Sequence, residues 1–276
     1  HIPDNALLQP IQVGAALAAS RMPNLLHDDE GDSISEKNRS YCELTGQYWA
    51  WQNTDADYYG FLHYRRYFNF SKTEYPIHHE PFIFGDVTFD RNDDETLQRI
   101  DFNEEAMRKV ITAHDFIAPE PIEALEKTTV YEQYRDSFGH HIEDLDTVMD
   151  NIRLKYPDIW PSAQKYLNQT KVYVCNMFVM RRELFRAYSA FLFDVLSTHE
   201  KMRDFSHYSP VARRVSGYLG ERICGMYLTY LYDKGYDGID LQRVYFRNTD
   251  DGQRPATATG TTGEIETLNF DATVRG

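Results

Sequence analysis

The chain has 276 residues, 42% of them hydrophobic and 14% aromatic, and carries a formal net charge of −14. That length supports one large domain or two small ones with an ample core, and no apolar run approaches the ~18–20 residues that span a bilayer. The acidic balance argues against broad binding to a nucleic-acid backbone, while leaving room for a local basic pocket that takes one phosphorylated ligand.

Cys42, Cys175 and Cys224 are widely spaced and each sits in an apolar segment. This suits buried thiols in a reducing compartment, with the cytoplasm as default, rather than a disulfide framework or a zinc site. No signal peptide is visible, and a chain opening on a histidine is expected to lack residues, or a whole region, that precede it. The 20 tyrosines either pack the core or offer flat faces to nucleobases and sugar rings.

Ser33 and Glu36 stand at capping-box spacing, and Tyr41, Leu44, Tyr48 and Trp51 recur at helical intervals, predicting a helix from Ser33 to about Asn53. Tyr58 to Leu62 reads as a short buried strand. Residues 69–100, with two prolines and scattered acids, are expected to be a loop-rich surface excursion. Asn103 to His114 reads as a helix, and DFIAPEP from Asp115 as a strand. Glu132 to Lys155 is a polar helical region broken near Gly139 and closed by Pro157. KVYVCNMFVM, Lys171 to Met180, is apolar without a helical period, which predicts one buried strand.

Leu184, Tyr188, Phe191, Val195 and Leu196 form the inner stripe of the next helix. Leu219, Ile223, Met226 and Tyr230 do so for another from about Val215 to Tyr232. Val244 to Phe246 is a last strand, and the tail from Thr249 is expected to be poorly ordered. This alternation predicts an α/β domain over 1–248, with a mainly parallel central sheet flanked by helices, and a tail over 249–276. In such sheets ligands bind beyond the carboxyl ends of the strands.

HYRRYF, His63 to Phe68, lies just past such an end. Arg65 and Arg66 offer fixed positive charge and forked donors that match a diphosphate, or one of them pairs with a structural carboxylate. His63 can donate a hydrogen bond or move a proton near neutral pH. In DDEGDSISEKN, Asp28 and Asp32 precede a helix start, where acids either cap the helix or accept hydrogen bonds from a sugar, ribose or base. Asp55 and Asp57 match an Asp-x-Asp metal pattern but precede the strand rather than follow it, and Asp144 with Asp146 lies in a polar helix. A metal is therefore not expected, with a divalent ion such as manganese the lesser alternative. His140 and His141 neighbour Glu143 and Asp144 without metal-ligand spacing. Glu221, beside an apolar stripe, acts as a base or pairs with Arg213, Arg214 or Arg222. Neither a nucleophile elbow nor a Walker or dinucleotide glycine loop is present in the sequence.

Six segments in order resemble a family of bacterial glycosyltransferases from capsule and exopolysaccharide gene clusters, long described as a domain of unknown function. They are PIQVGAAL (Pro10 to Leu17), Asp28 to Asn53, DADYYGFLHYRRYF (Asp55 to Phe68), YEQYRDSFGHHIEDL (Tyr131 to Leu145), CNMFVMRRELF (Cys175 to Phe185) and GYLGERICGMYL (Gly217 to Leu228). The resemblance implies a GT-A-like, Rossmann-related single domain that transfers a hexose, galactose as pyranose or furanose, from a UDP-sugar to a growing glycan. It implies that Arg65 and Arg66 bind the donor diphosphate in place of a metal, and that Asn176 lines the donor-sugar pocket. Family members begin with a strand ahead of the PIQVGAAL-like segment, so a first strand is expected to be missing here.

The expected assignment is thus a cytoplasmic glycosyltransferase, peripheral on the membrane where its acceptor is lipid-linked. Asp28, Asp32 and Asn38 hold the nucleotide or sugar, Glu221 or His63 is the base, and His140 and Asp144 are weaker candidates for acceptor contact. Two alternatives stand beside it: a non-catalytic module that binds a glycan or nucleotide sugar, and a metal-dependent phosphoesterase.

Overall fold

The computed structural model describes residues 2–80, 83–124, 127–248 and 270–275. The chain opens with β1 (Leu8–Gln12) and β2 (Leu26–His27), then helices α1 (Asn38–Tyr41) and α2 (Leu44–Asn53). Strands β3 (Tyr58–His63), β4 (Arg66–Phe68), β5 (Ile77–Glu80) and β6 (Ile83–Arg91) follow, with α3 (Asp94–Arg99) and α4 (Glu104–Ile111). The middle carries β7 (Phe116–Pro119), β8 (Ile122–Glu123), α5 (Val130–Asp136), α6 (Ile142–Lys155), α7 (Trp160–Leu167) and β9 (Lys171–Val172). Then come β10 (Phe178–Arg181), α8 (Arg182–Met202), α9 (Val215–Asp233), β11 (Gly238–Leu241), β12 (Arg243–Asn248) and β13 (Phe270–Arg275).

Among the described residues, 11 strands form one sheet of main order β11-β7-β10-β3-β4-β12-β6-β5, with β13, β1 and β2 continuing from β3. The α/β class agrees with expectation, but the sheet is mixed rather than mainly parallel. Parallel pairs are β1–β2, β7–β11 and β6–β12, whereas β3–β4, β3–β10, β7–β10 and β4–β12 are antiparallel. Connectivity explains this. Tyr64 and Arg65 alone join β3 to β4, and so short a link can only fold the chain back on itself.

Alternation along the strands sorts the core into two layers. Tyr59, Phe61, Phe116, Phe178 and Met180 pack with α2 and with α5 to α9. Leu62, Ile117, Val179, Val244 and Phe246 pack on the other face with Leu97 of α3 and Met107 of α4. The apolar stripes expected on α8 and α9 are buried as read, apart from a half-buried Tyr230.

Three segments depart from expectation. Residues 69–100 build β5, β6 and α3 rather than a surface loop, with Asp93 capping α3 through Thr96 N at 3.0 Å. The helix from Ser33 breaks at Cys42, whose φ is 51°, because the Asn38 amide holds the turn by donating to Cys42 O (2.7 Å) and Thr45 Oγ1 (3.1 Å). Ser33 Oγ donates to the Asp28 carbonyl instead of capping. KVYVCNMFVM contributes to two strands, β9 and β10, separated by Tyr173 to Met177.

Gly225 of α9 packs directly against the Tyr166 ring of α7, leaving no room for a Cβ. Tyr166 OH accepts from Tyr173 N at 3.1 Å, which anchors the chain on its way into that interruption. Of the expected tail, 249–269 and 276 lie outside the described residues, while β13 pairs antiparallel with both β1 and β3.

Candidate functional site

Because β10 runs antiparallel to β3, with Phe178 opposite Phe61, the approach to β10 lies against the carboxyl end of β3. His63 Nε2 is hydrogen-bonded to the Cys175 carbonyl. A carbonyl only accepts, so Nε2 carries the proton. Glu221 Oε1 accepts from Cys175 N at 2.9 Å. Held from both sides, Cys175 and Asn176 adopt left-handed φ values of 76° and 46°. Non-glycine residues keep such conformations only where their surroundings impose them, and such residues concentrate at functional sites. Asn176 is buried, and its Nδ2 donates to Glu43 Oε1 at 2.6 Å. Its Oδ1 has no hydrogen-bond partner among the described residues. A buried acceptor left in that state costs free energy, so a ligand hydroxyl donating to it would be stabilised.

Arg65 and Arg66 frame the β3–β4 turn. Arg65 Nη1 donates to the Tyr245 hydroxyl at 3.3 Å, and the guanidinium lies 5.3 Å from the Tyr64 ring centroid. Its Nε has no hydrogen-bond partner among the described residues. Arg66 stands 4.9 Å over the Tyr245 ring and 3.6 Å from Asp86 Oδ2. The other Asp86 oxygen binds Arg243 Nε, and both of these side chains are 1% exposed. The parallel β6–β12 register, Val87 opposite Val244, brings them together. Two guanidiniums thus share one carboxylate, and the cluster keeps an excess of positive charge. Burial first, and then the Arg66 charge, push the His63 imidazole down to about 4. The ring is neutral near pH 7.

Glu221 Oε2 is 3.7 Å from Arg222 Nη1, so the structural pairing is made, and buried Arg222 donates in turn to Gln133 Oε1 at 2.5 Å. His140 joins this wall between the rings of Tyr134 (4.4 Å) and Tyr218 (4.2 Å), where burial and Arg222 push it down to about 4. The structure therefore gathers His63, Arg66, Asn176 and Glu221 around the Cys175–Asn176 turn, with Arg65 on the adjoining β3–β4 turn and His140 beside Arg222.

The other candidates are placed differently. Asp28 is fully buried and accepts from Gly14 N (2.8 Å), Ala15 N (3.0 Å) and Ser35 Oγ (2.6 Å), so it shapes the loop after β1 from within. Asn38 packs against Gly14, whose φ of 66° and lack of Cβ this approach requires. Asp32 is exposed, accepting from Tyr48 OH at 3.2 Å while its backbone is clamped by Asn53. Asp144 is fully buried and accepts from His199 Nε2 (2.9 Å), Arg203 Nε (3.1 Å) and Tyr208 OH (2.8 Å), tying α6 to α8. Asp55 and Asp57 pair with Arg182 and Arg186. Among the described residues, no three His, Cys, Asp or Glu side chains group as metal ligands.

Glu43, Asp86, Arg243 and Tyr245 were not singled out from the sequence, and Arg214 was named there only as a candidate partner of Glu221. Glu43, half-buried ahead of α2, has its carboxyl held above the usual range by burial, against the opposing pull of the Asn176 bond and Arg214. Arg214 Nε approaches Cys42 Sγ at 3.4 Å. The available signal was a lone carboxylate between Cys42 and Leu44, on an otherwise apolar stretch.

The profile of DUF4422, a domain of unknown function, matches residues 1–232. The chain belongs to the DUF4422 family. All of the cluster described above lies within the matched DUF4422 region, except Arg243 and Tyr245. This DUF4422 chain is also similar to the apo structure of WbbM, a bifunctional glycosyltransferase, at 30% identity and a TM-score of 0.84. The likeness covers 93% of the DUF4422 chain and 45% of WbbM, so the chain spans less than half the length of that protein. No curated protein sequence matches it. Among its described residues, no helix is long and apolar enough to cross a membrane.

Proposed function

We propose that this DUF4422 chain is a glycosyltransferase that moves a hexose from a UDP-sugar to a growing capsule, exopolysaccharide or O-antigen glycan. The observation that carries the reading is the likeness to WbbM over 93% of the chain at 30% identity. The same likeness supports a GT-A-like fold. Arg65 and Arg66 hold the donor diphosphate and stabilise the charge that develops as it leaves, without need of a divalent ion. Asn176 Oδ1 accepts from a hydroxyl of the donor sugar, for which galactose, pyranose or furanose, is the leading class. Asp28 and Asn38 support this pocket through the loop after β1, and Asp32 lies on its outer side. The enzyme works at the cytoplasmic face, meeting an acceptor that is lipid-linked.

Calorimetric titration with UDP, UDP-galactose and GDP-mannose, in manganese and in EDTA, tests this reading. UDP and UDP-galactose are expected to bind in EDTA, with Arg65→Ala weakening UDP at least tenfold, about 1.4 kcal/mol. Unchanged UDP affinity in Arg65→Ala would move the diphosphate away from the β3–β4 turn.

A further inference from the structure

We propose that Glu43 is the general base that takes the proton from the acceptor hydroxyl. This inference rests on the glycosyl-transfer reading above. His63 and Glu221, the two candidates the sequence offers, are both committed to Cys175. His63 Nε2 carries a proton that it donates to the Cys175 carbonyl, and Glu221 Oε1 accepts from Cys175 N. Glu43 meets the same strained turn one residue further on, through Asn176 Nδ2.

Carboxylates therefore flank the turn at both ends. At Cys175 the Glu221 carboxylate, beside Arg66 and His63, is engaged through Oε1 by Cys175 N and through Oε2 by Arg222, whereas at Asn176 Glu43 is engaged through Oε1 by Asn176 Nδ2. A donor sugar seated on Asn176 Oδ1 has its leaving group drawn to the arginines and an anionic proton acceptor on the other side. That is the arrangement an inverting displacement needs. The acceptor oxygen forms a bond to the anomeric carbon while the bond from that carbon to the diphosphate oxygen breaks. The bonding pair leaves on UDP, held by Arg65 and Arg66, and the hydroxyl proton passes to a Glu43 carboxylate oxygen, which later releases it to water.

Burial holds the Glu43 carboxyl above the usual range, which raises its proton affinity toward that of a working base. The groups facing it favour a single titration. Burial pushes the Cys42 thiol up to about 11, and the Tyr188 hydroxyl from α8 is also raised, so both stay neutral. Arg214, at the start of α9, is the facing cation, and Glu221 lies beyond Cys42.

The test follows UDP release from UDP-galactose with octyl galactoside as acceptor, from about pH 5 to about pH 9, alongside UDP binding. Glu43→Gln is expected to lower kcat about 100-fold or more, to leave UDP affinity within about threefold, and to abolish the acid limb of the kcat profile. Glu43→Asp should keep that limb at a shifted position with a reduced kcat. Wild-type turnover combined with an unchanged kcat and acid limb in Glu43→Gln would overturn the role of Glu43 alone. If Glu43→Gln does not fold, a Glu43→Asp profile identical to wild type overturns it equally. A folded wild type that binds UDP but releases none from UDP-galactose overturns the underlying glycosyl-transfer reading instead.

Discussion

Asp86→Ala is expected to lower the unfolding temperature by about 10 °C, which corresponds to roughly 3–5 kcal/mol in a chain of this size. Asp86 and Arg243 are each 1% exposed, and Arg66 lies 3.6 Å from the second Asp86 oxygen. Removing the carboxylate leaves two guanidiniums confined near one another in a low-dielectric layer, with neither able to neutralise by losing its proton. Removing one of the two cations as well, in Asp86→Ala/Arg243→Met, should cost less than Asp86→Ala alone, because only the less deeply buried Arg66 is then left facing the emptied site. Thermal melts of the three proteins decide it. A single variant that melts with the wild type would show that the pair contributes nothing.

Acidification should destabilise the protein between about pH 6.5 and pH 4, through two histidines rather than through its carboxylates. His63 and His140 are each pushed down to about 4, chiefly by burial and secondly by Arg66 and Arg222 respectively. In the unfolded chain they take up a proton near 6.5. Above that pH both states are neutral and neither histidine affects stability. As pH falls from about 6.5 to about 4 the unfolded state binds more protons, so stability falls by up to ~1.4 kcal/mol per pH unit for each histidine. The loss levels off at up to ~3 kcal/mol each. The raised carboxyl of Glu43 has the opposite sign, since its folded form takes up the proton first. The comparison is therefore made between wild type, His63→Gln and His140→Phe in urea titrations across this range. Each variant should lose part of the slope. Variants with the wild-type slope would mean that these rings are protonated as readily in the fold as out of it.

Helices α8 and α9 were legible because large apolar residues recur at intervals of about three and a half, and Tyr58 to Leu62 because a short unbroken apolar run marks a strand buried on both faces. Periodicity says which face is buried but nothing about strand direction. The reversal at Tyr64–Arg65 depends on how few residues join β3 to β4, and the same limit hid the antiparallel course of β10. Cys175 and Asn176 sit inside an apolar run that reads as one strand. Their left-handed backbone is imposed by His63 and Glu221, which come from 112 and 46 residues away, so no local pattern could announce it.

The same reasoning separates the site residues. HYRRYF stood out because charge at the end of a buried strand is locally anomalous. Glu43 did not, since a single acid beside a helix start has an ordinary capping explanation. Its pairing with Asn176 spans 133 positions and exists only once β10 lies beside β3. Asp28 illustrates the converse. It was visible as one acid in an acidic loop, but only the fold turns its carboxylate inward to Gly14 and Ala15.

The central claim is most directly tested by product analysis of the folded wild-type protein supplied with UDP-galactose and a galactoside acceptor in EDTA. Glycosyl transfer predicts an acceptor enlarged by one hexose, formed in step with UDP release and suppressed in Arg65→Ala. UDP that binds to the wild type without any acceptor ever gaining a sugar, from UDP-galactose or from other UDP-hexoses, would contradict the account and leave a module that only recognises the nucleotide.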